Sequence, residues 1–194
     1  MYYVNQLGYP HIPYIHGTNK GGVAPDRRNI ATSGCGLACA CMVVGNLTEV
    51  KPSLEEMIQI TYDSGANCTV GSRMRLLGPA VAEKYGLHYE TTNDTEVLLE
   101  WLNQGGLAVA NVAGDREGYK GVFSYTGHYV LILRAEGREL CIADPAYRYG
   151  KYTEEHCAHK ISRIEVPLVW SDIQYMEEDV APRDIHYYLF RKEV

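Results

Sequence analysis

The chain's 194 residues, 46% hydrophobic and 22% charged, have the composition of a globular protein, which excludes disordered, collagen-like and low-complexity classes. This length suits a single domain, taken as 1–194. The charge balance, 18 basic against 24 acidic residues for a net −6, lacks the dense basic surface that nucleic acid requires, so no nucleic-acid partner is expected. No apolar stretch approaches the ~20 residues of a membrane span. Residues 1–6 lack the basic-then-apolar pattern of a signal peptide, so a soluble protein, cytoplasmic by default, is expected. A secreted protein whose leader had been removed would read the same, and the sequence is silent on oligomeric state.

Residues 1–34 are rich in Gly, Pro, Tyr and Asn, with no sustained period, and predict irregular structure with short extended pieces. Residues 36–45, small and apolar all round, predict a buried helix with Thr32 and Ser33 as candidate caps. Ser53-Leu54-Glu55-Glu56 is a capping box and predicts a second helix over about 53–63. A third is expected over 72–85, interrupted or kinked by Pro79 and ended by Gly86. The fourth, amphipathic, covers 94–103 with Asn93 as its cap. Strands follow: Leu107–Val112, then 128–134 and 138–144 joined by Ala135-Glu136-Gly137, and a closing strand over 185–191. Helices first and an antiparallel sheet after is the α+β pattern.

Six cysteines stand at 35, 39, 41, 68, 141 and 157. Three of them crowd one predicted helix, where bridges are badly placed, and a chain this long needs no staples, so reduced thiols are expected. Cys35 sits in Ser33-Gly34-Cys35-Gly36, at the start of that helix. Free amides and the helix dipole favour an anion there, which lowers a thiol's pKa and makes it a nucleophile. A free Cys is also commonly just a small buried hydrophobe.

A three-residue hairpin loop at 135–137 sets Arg134 opposite Arg138 and His128 opposite Asp144, with Val130 facing Ile142 and Ile132 facing Leu140 on one apolar face. An imidazole beside a carboxylate has its tautomer fixed and its cation steadied. Cys, His and an orienting acid together are the minimum for acyl transfer. A satisfied ion pair at a sheet edge has the same appearance. Gln6 carries a side-chain amide that can donate to a developing oxyanion; a loop Gln is otherwise an ordinary solvated residue.

Taken in order, Asn5-Gln6, Ser33-Gly34-Cys35-Gly36-Leu37-Ala38 with Met42 beyond, Gly127-His128-Tyr129-Val130 and Asp144-Pro145 resemble the C39-like peptidase family, of papain-like cysteine-peptidase fold, over about residues 2–190. The resemblance implies a nucleophile helix packed on an antiparallel sheet that brings the His and the acid. It implies Cys35 as nucleophile, His128 as general base and then acid, Asp144 as orienting residue, and Gln6 as oxyanion donor beside the Cys35 amide. The expected function is therefore a cysteine peptidase or related amide hydrolase, working through an acyl-enzyme thioester on a peptide or protein substrate. The alternative is a catalytically silent papain-like module that binds a peptide or protein partner. A third reading is acyl transfer to an acceptor other than water on the same triad.

Three further features complete the reading. Glu155-His156-Cys157-Ala158-His159 offers metal-ligand types, but a closed site needs four ligands and no second cluster accompanies it, so no metal or other cofactor is expected. The Gly-rich loop 113–127 is either a gate over the cleft or an ordinary long connection. Tyr147, Tyr149 and Tyr152 either line the cleft or stand on the surface.

Overall fold

In the computed structural model, residues 1–14 and 28–193 are described, and helices cover both faces of one antiparallel sheet. Residues 15–27 of the segment expected to be irregular, His16 and Arg27 among them, lie outside the described residues. The N-terminal arm carries a turn of 3-10 helix at Gln6–Gly8. A short helix α1 (Ile30–Ser33) starts at Asn29, whose side chain accepts from the Thr32 amide, and α2 (Cys35–Leu47) follows after Gly34 alone. Thr32 and Ser33, expected to cap α2, belong instead to α1, and no side chain caps α2.

Helix α3 (Leu54–Asp63) begins as its capping box predicts, with Ser53 Oγ accepting from the Glu56 amide at 3.1 Å. The two-residue strands β1 (Asn67–Cys68) and β2 (Gly71–Ser72) form a small hairpin before α4 (Met74–Tyr85). Pro79 does not interrupt α4. Both Pro79 and Arg75, the residue whose carbonyl loses its donor, lie on the exposed face, where water replaces the missing amide. Helix α5 (Thr95–Asn103), after strand β3 (Leu87–Thr92), is capped by Asp94 rather than Asn93. Asn93 bridges the Asp184 carbonyl and the His186 amide instead.

Strands β4 (Leu107–Val112), β5 (His128–Glu136) and β6 (Glu139–Ala143) follow, then a short helix α6 (Glu155–Ala158), strands β7 (Ile161–Glu165) and β8 (Leu168–Asp172), helix α7 (Ile173–Val180) and strand β9 (Tyr187–Lys192). The sheet order is β3-β9-β4-β5-β6-β8-β7, every neighbouring pair antiparallel. Along β4, Leu107 and Val109 pack with α2, while Ala108, Ala110 and Val112 pack with Leu98 and Trp101 of α5 and Met176 of α7. Burial on both faces explains why the central strands read as unbroken apolar runs rather than as alternation.

The β5–β6 hairpin differs from the expected register. Its turn is two residues, Gly137-Arg138, and Glu136 pairs with Glu139, Ala135 with Leu140 and Arg134 with Cys141. Gly137, at φ 61°, occupies the first central position, where a II′ turn demands positive φ. This register alone would set even-numbered residues of β5 against odd-numbered ones of β6. A bulge at Leu133 inserts one residue, after which Ile132 pairs with Ile142 and Leu131 with Ala143. The bulge restores the match of even with even. Carried one step past the last pair, the register sets Asp144 beside Val130 and diagonal to His128, on the same side of the sheet. The expected direct opposition of His128 and Asp144 is thus replaced by a diagonal, and the two side chains still meet.

Candidate active site

Asp144 is fully buried just past the end of β6, and four donors converge on its carboxylate. His128 Nε2 and the Ala146 amide reach Oδ1, each at 2.8 Å. Lys151 Nζ reaches Oδ2 at 2.5 Å and the Tyr152 hydroxyl donates to it at 2.7 Å. A buried carboxylate is tolerable only when its lone pairs are so occupied. Burial pushes the Asp144 carboxyl up, but the charge and hydrogen bond of His128, with Lys151 beside it, outweigh burial and hold it far below the usual range. Asp144 is therefore a fixed anion.

That anion sets the state of His128. Burial pulls the imidazole down, but the Asp144 charge and hydrogen bond, assisted by Cys35, push it up to about 9. Because Nε2 is committed to Asp144, Nδ1 is the nitrogen left to face Cys35. Burial also pushes the Cys35 thiol up, but the His128 hydrogen bond and charge and the amides of Tyr129 and Gly36 more than reverse this, leaving it below an ordinary thiol. The imidazole beside it thus biases Cys35 toward its thiolate.

The local sequence accounts for this placement. Cys35 is the first residue of α2, where its amide has no intrahelical acceptor and no side chain competes for it. Gly36 lets the helix close on the sheet: a Cβ there would lie 2.9 Å from Ser72 Cβ and 3.2 Å from the Tyr129 ring. All six cysteines are free, and Cys35 is partly exposed while the other five are buried. Burial pushes Cys41 up to about 12 and Cys39 well above its ordinary value.

Gln6 is buried near this group, with its amide Nε2 donating to the carbonyls of Ala31 at 2.9 Å and Ile30 at 3.4 Å. Its Oε1 has no hydrogen-bond partner. The arm around it is stitched to the acid's loop: Tyr3 hydroxyl donates to the Asp144 carbonyl at 2.6 Å, the Gln6 amide to Pro145 O at 2.7 Å, and Asn5 Nδ2 to Tyr147 O at 2.9 Å. Tyr2 and Asn46 exchange hydrogen bonds, which fastens the arm to α2 as well.

The remaining candidates divide. Of the three tyrosines, Tyr152 is buried under Asp144, Tyr147 stacks on it with ring centroids 6.2 Å apart, and Tyr149 is exposed. Loop 113–127 is bolted down by buried Asp179, which accepts from the Val122 and Phe123 amides at 3.0 Å and from the Tyr119 hydroxyl at 2.5 Å. Cys157 turns its sulfur to the Lys151 and Glu154 carbonyls, and among the described residues no three His, Cys, Asp or Glu side chains gather as a metal site. No helix among the described residues is long and apolar enough to cross a membrane. Sequence reasoning missed Lys151 and the supporting role of Tyr152. The signal was available in principle: a buried Asp needs several donors, and the segment just after it supplies them.

No family model matches the chain, and no curated protein matches it. Among solved structures, the peptidase domain of Streptococcus ComA, a bi-functional ABC transporter involved in quorum sensing, overlays at TM-score 0.53 with 12% identity, covering 84% of this chain and 93% of that one. A Bacillus anthracis protein described as a C39-like peptidase overlays at TM-score 0.55, also with 12% identity, covering 100% of this chain and 99% of that one. At this identity the likeness is one of architecture. The chain has the α+β, papain-like fold of the C39-like peptidases, with the cysteine-bearing helix α2 packed against an antiparallel sheet.

Proposed function

We propose that the chain is a cysteine peptidase that hydrolyses a peptide through an acyl-enzyme thioester. The observation that supports this most is the buried His128–Asp144 pair, whose imidazole reaches the Cys35 thiol at the uncapped start of α2. In this reading the Cys35 thiolate attacks the scissile carbonyl carbon, and the carbonyl oxygen becomes an oxyanion facing the Cys35 amide. The His128 imidazolium gives its Nδ1 proton to the amine nitrogen as the C–N bond breaks, leaving a thioester. His128 then takes a proton from water, hydroxide adds to the thioester carbon, and the C–S bond breaks to release the acid and restore the ion pair. Asp144 holds the ring and its charge throughout. Gln6 joins the oxyanion site once its amide turns from Ile30 and Ala31.

The present hydrogen bonds of Gln6 to those carbonyls favour a second reading, a silent module that binds a peptide in the same cleft. Iodoacetamide labelling of Cys35 from about pH 4 to about pH 9, with a peptide screen, separates the two. Wild type should label rapidly below pH 7, and His128→Ala should slow that labelling ~10–100-fold at pH 6 as the thiol returns toward its ordinary ~8.5. Both Cys35→Ala and His128→Ala should abolish cleavage. If wild-type Cys35 titrates near ~8.5 and cleaves nothing, the binding module replaces the peptidase.

A further inference from the structure

A cavity of about 470 Å³ lies beside the nucleophile helix, between the β1–β2 hairpin, the start of α4 and the chain entering β9. Ser72 and Tyr129 line it, and these are the two residues on which Gly36 packs. The cavity therefore shares a wall with the segment that presents Cys35. An extended peptide advances ~3.3 Å per residue, so one crossing Cys35 reaches this wall within a residue or two of the scissile bond.

The charge of the lining is opposite to that of the molecule. Arg73, Arg75 and Arg183 stand there against Asp184 alone, three cations to one anion, in a chain of net charge −6. Among the described residues no carboxylate lies within ion-pair distance of any of the three. Arg183 is tethered through one nitrogen, with Nη2 donating to Val112 O at 2.8 Å, while its Nε is buried without a partner. It lies against Gly127, where a Cβ would come within 2.4 Å of Nη2, so the residue before His128 is shaped to admit it.

Helix α4 adds to the same field. Its N-terminus opens at Arg73-Met74-Arg75 with no acidic residue in the first turn and no side-chain cap. The positive end of a helix dipole disfavours cations, and helices ordinarily place Asp or Glu there. Two arginines at that end, lining a cavity with a third, violate the local rule in the way expected of a site whose anion comes from outside.

We infer that this cavity is a specificity pocket for an acidic side chain of the substrate, held by Arg73, Arg75 and Arg183 within two residues of the bond that Cys35 attacks. The inference rests on the peptidase reading and names its substrate class: peptides carrying Asp or Glu beside the cleaved bond. Guanidinium forks match carboxylates with paired hydrogen bonds, which gives direction as well as attraction.

The test digests a proteome-derived peptide library with the full chain and reads the residues flanking each Cys35-dependent cut by mass spectrometry. Asp and Glu should be enriched at one position within two residues of the cut. A matched synthetic pair from the best site should show kcat/KM at least ~10-fold higher for Glu than for Gln, the factor of about one charge-assisted hydrogen bond. The ratio should fall at high salt and collapse toward one in the double variant R73Q/R75Q. Both positions are exposed, and an unchanged melting temperature verifies its fold. Cleavage without acidic enrichment, or enrichment that survives R73Q/R75Q, overturns the pocket and leaves the peptidase standing. Absence of any Cys35-dependent cut overturns both.

Discussion

At the scale of single residues, the site turns on how many cations one buried carboxylate serves. Asp144 faces His128 through Oδ1 and Lys151 through Oδ2, so it divides its charge between them. Lys151 has two opposed effects: it stabilises the anion that holds the imidazolium, and its own charge repels that imidazolium. Lys151→Met removes the repulsion while Tyr152, Ala146 and His128 still hold Asp144. The His128 titration, placed at about 9, should therefore move upward, and in the proposed peptidase the alkaline limb of cleavage should follow it, because there the imidazolium is the general acid. An NMR titration of the His128 ring measures this directly; an unchanged or lowered midpoint would show that Lys151 does not act on the ring. Loss of one charge-assisted bond to a buried carboxylate should also cost about 2 kcal/mol of stability.

At the scale of elements, loop 113–127 is tied to the acid through one residue that the sequence gives no hint of. Asp179, the penultimate residue of α7, collects two amides and a hydroxyl from the loop, and Phe123 of that loop packs on Tyr152, which holds Asp144. Asp179→Ala leaves two buried amides and a part-buried hydroxyl without an acceptor and should cost about 3 kcal/mol, with Asp179→Asn losing less. Hydrogen exchange should rise across residues 115–126, and unchanged protection there would refute the bolt. Nothing local to Glu177-Glu178-Asp179 marks its last member as buried, because a buried carboxylate is recognisable only from partners that are distant along the chain. The same limit explains the other differences. Leu107–Val112 reads as a strand because its apolar run is local, and Ser53 as a cap because its partner is three residues on. The Leu133 bulge, the Pro79-containing helix and the β7–β8 pair depend on tertiary packing or solvent exposure that no short window contains. Cys35, His128 and Asp144 were legible through motif order, whereas Arg183 stands in a segment that no motif marks.

At the scale of the whole molecule, the buried pair makes stability depend on pH from two sides. His128 is raised above its ordinary 6.5, so its contribution is fully present below that value and is lost as pH rises through about 9. Asp144 is depressed, so its contribution is present above about 3.8 and is lost as pH falls through its folded value. In Cys35→Ala, where the lowered thiol no longer offsets this loss by giving up its proton early, thermal melts should therefore show a plateau from about pH 4 to pH 6.5 and a decline toward pH 9. His128→Gln should flatten the alkaline decline; a decline of the same size in that variant would assign it to other groups.

The N-terminal arm has a consequence for how the molecule comes into being. Tyr3, Asn5 and Gln6 are anchored on residues 144–147, across nearly three-quarters of the chain. During synthesis the arm and α2 emerge long before the residues that complete them, at ~5–20 residues per second. For those seconds Cys35 heads a helix without its imidazole, and the arm has nothing to hold. The His128–Asp144 pair beside Cys35, and the anchors of the arm, can form only once residues 128–147 have been made.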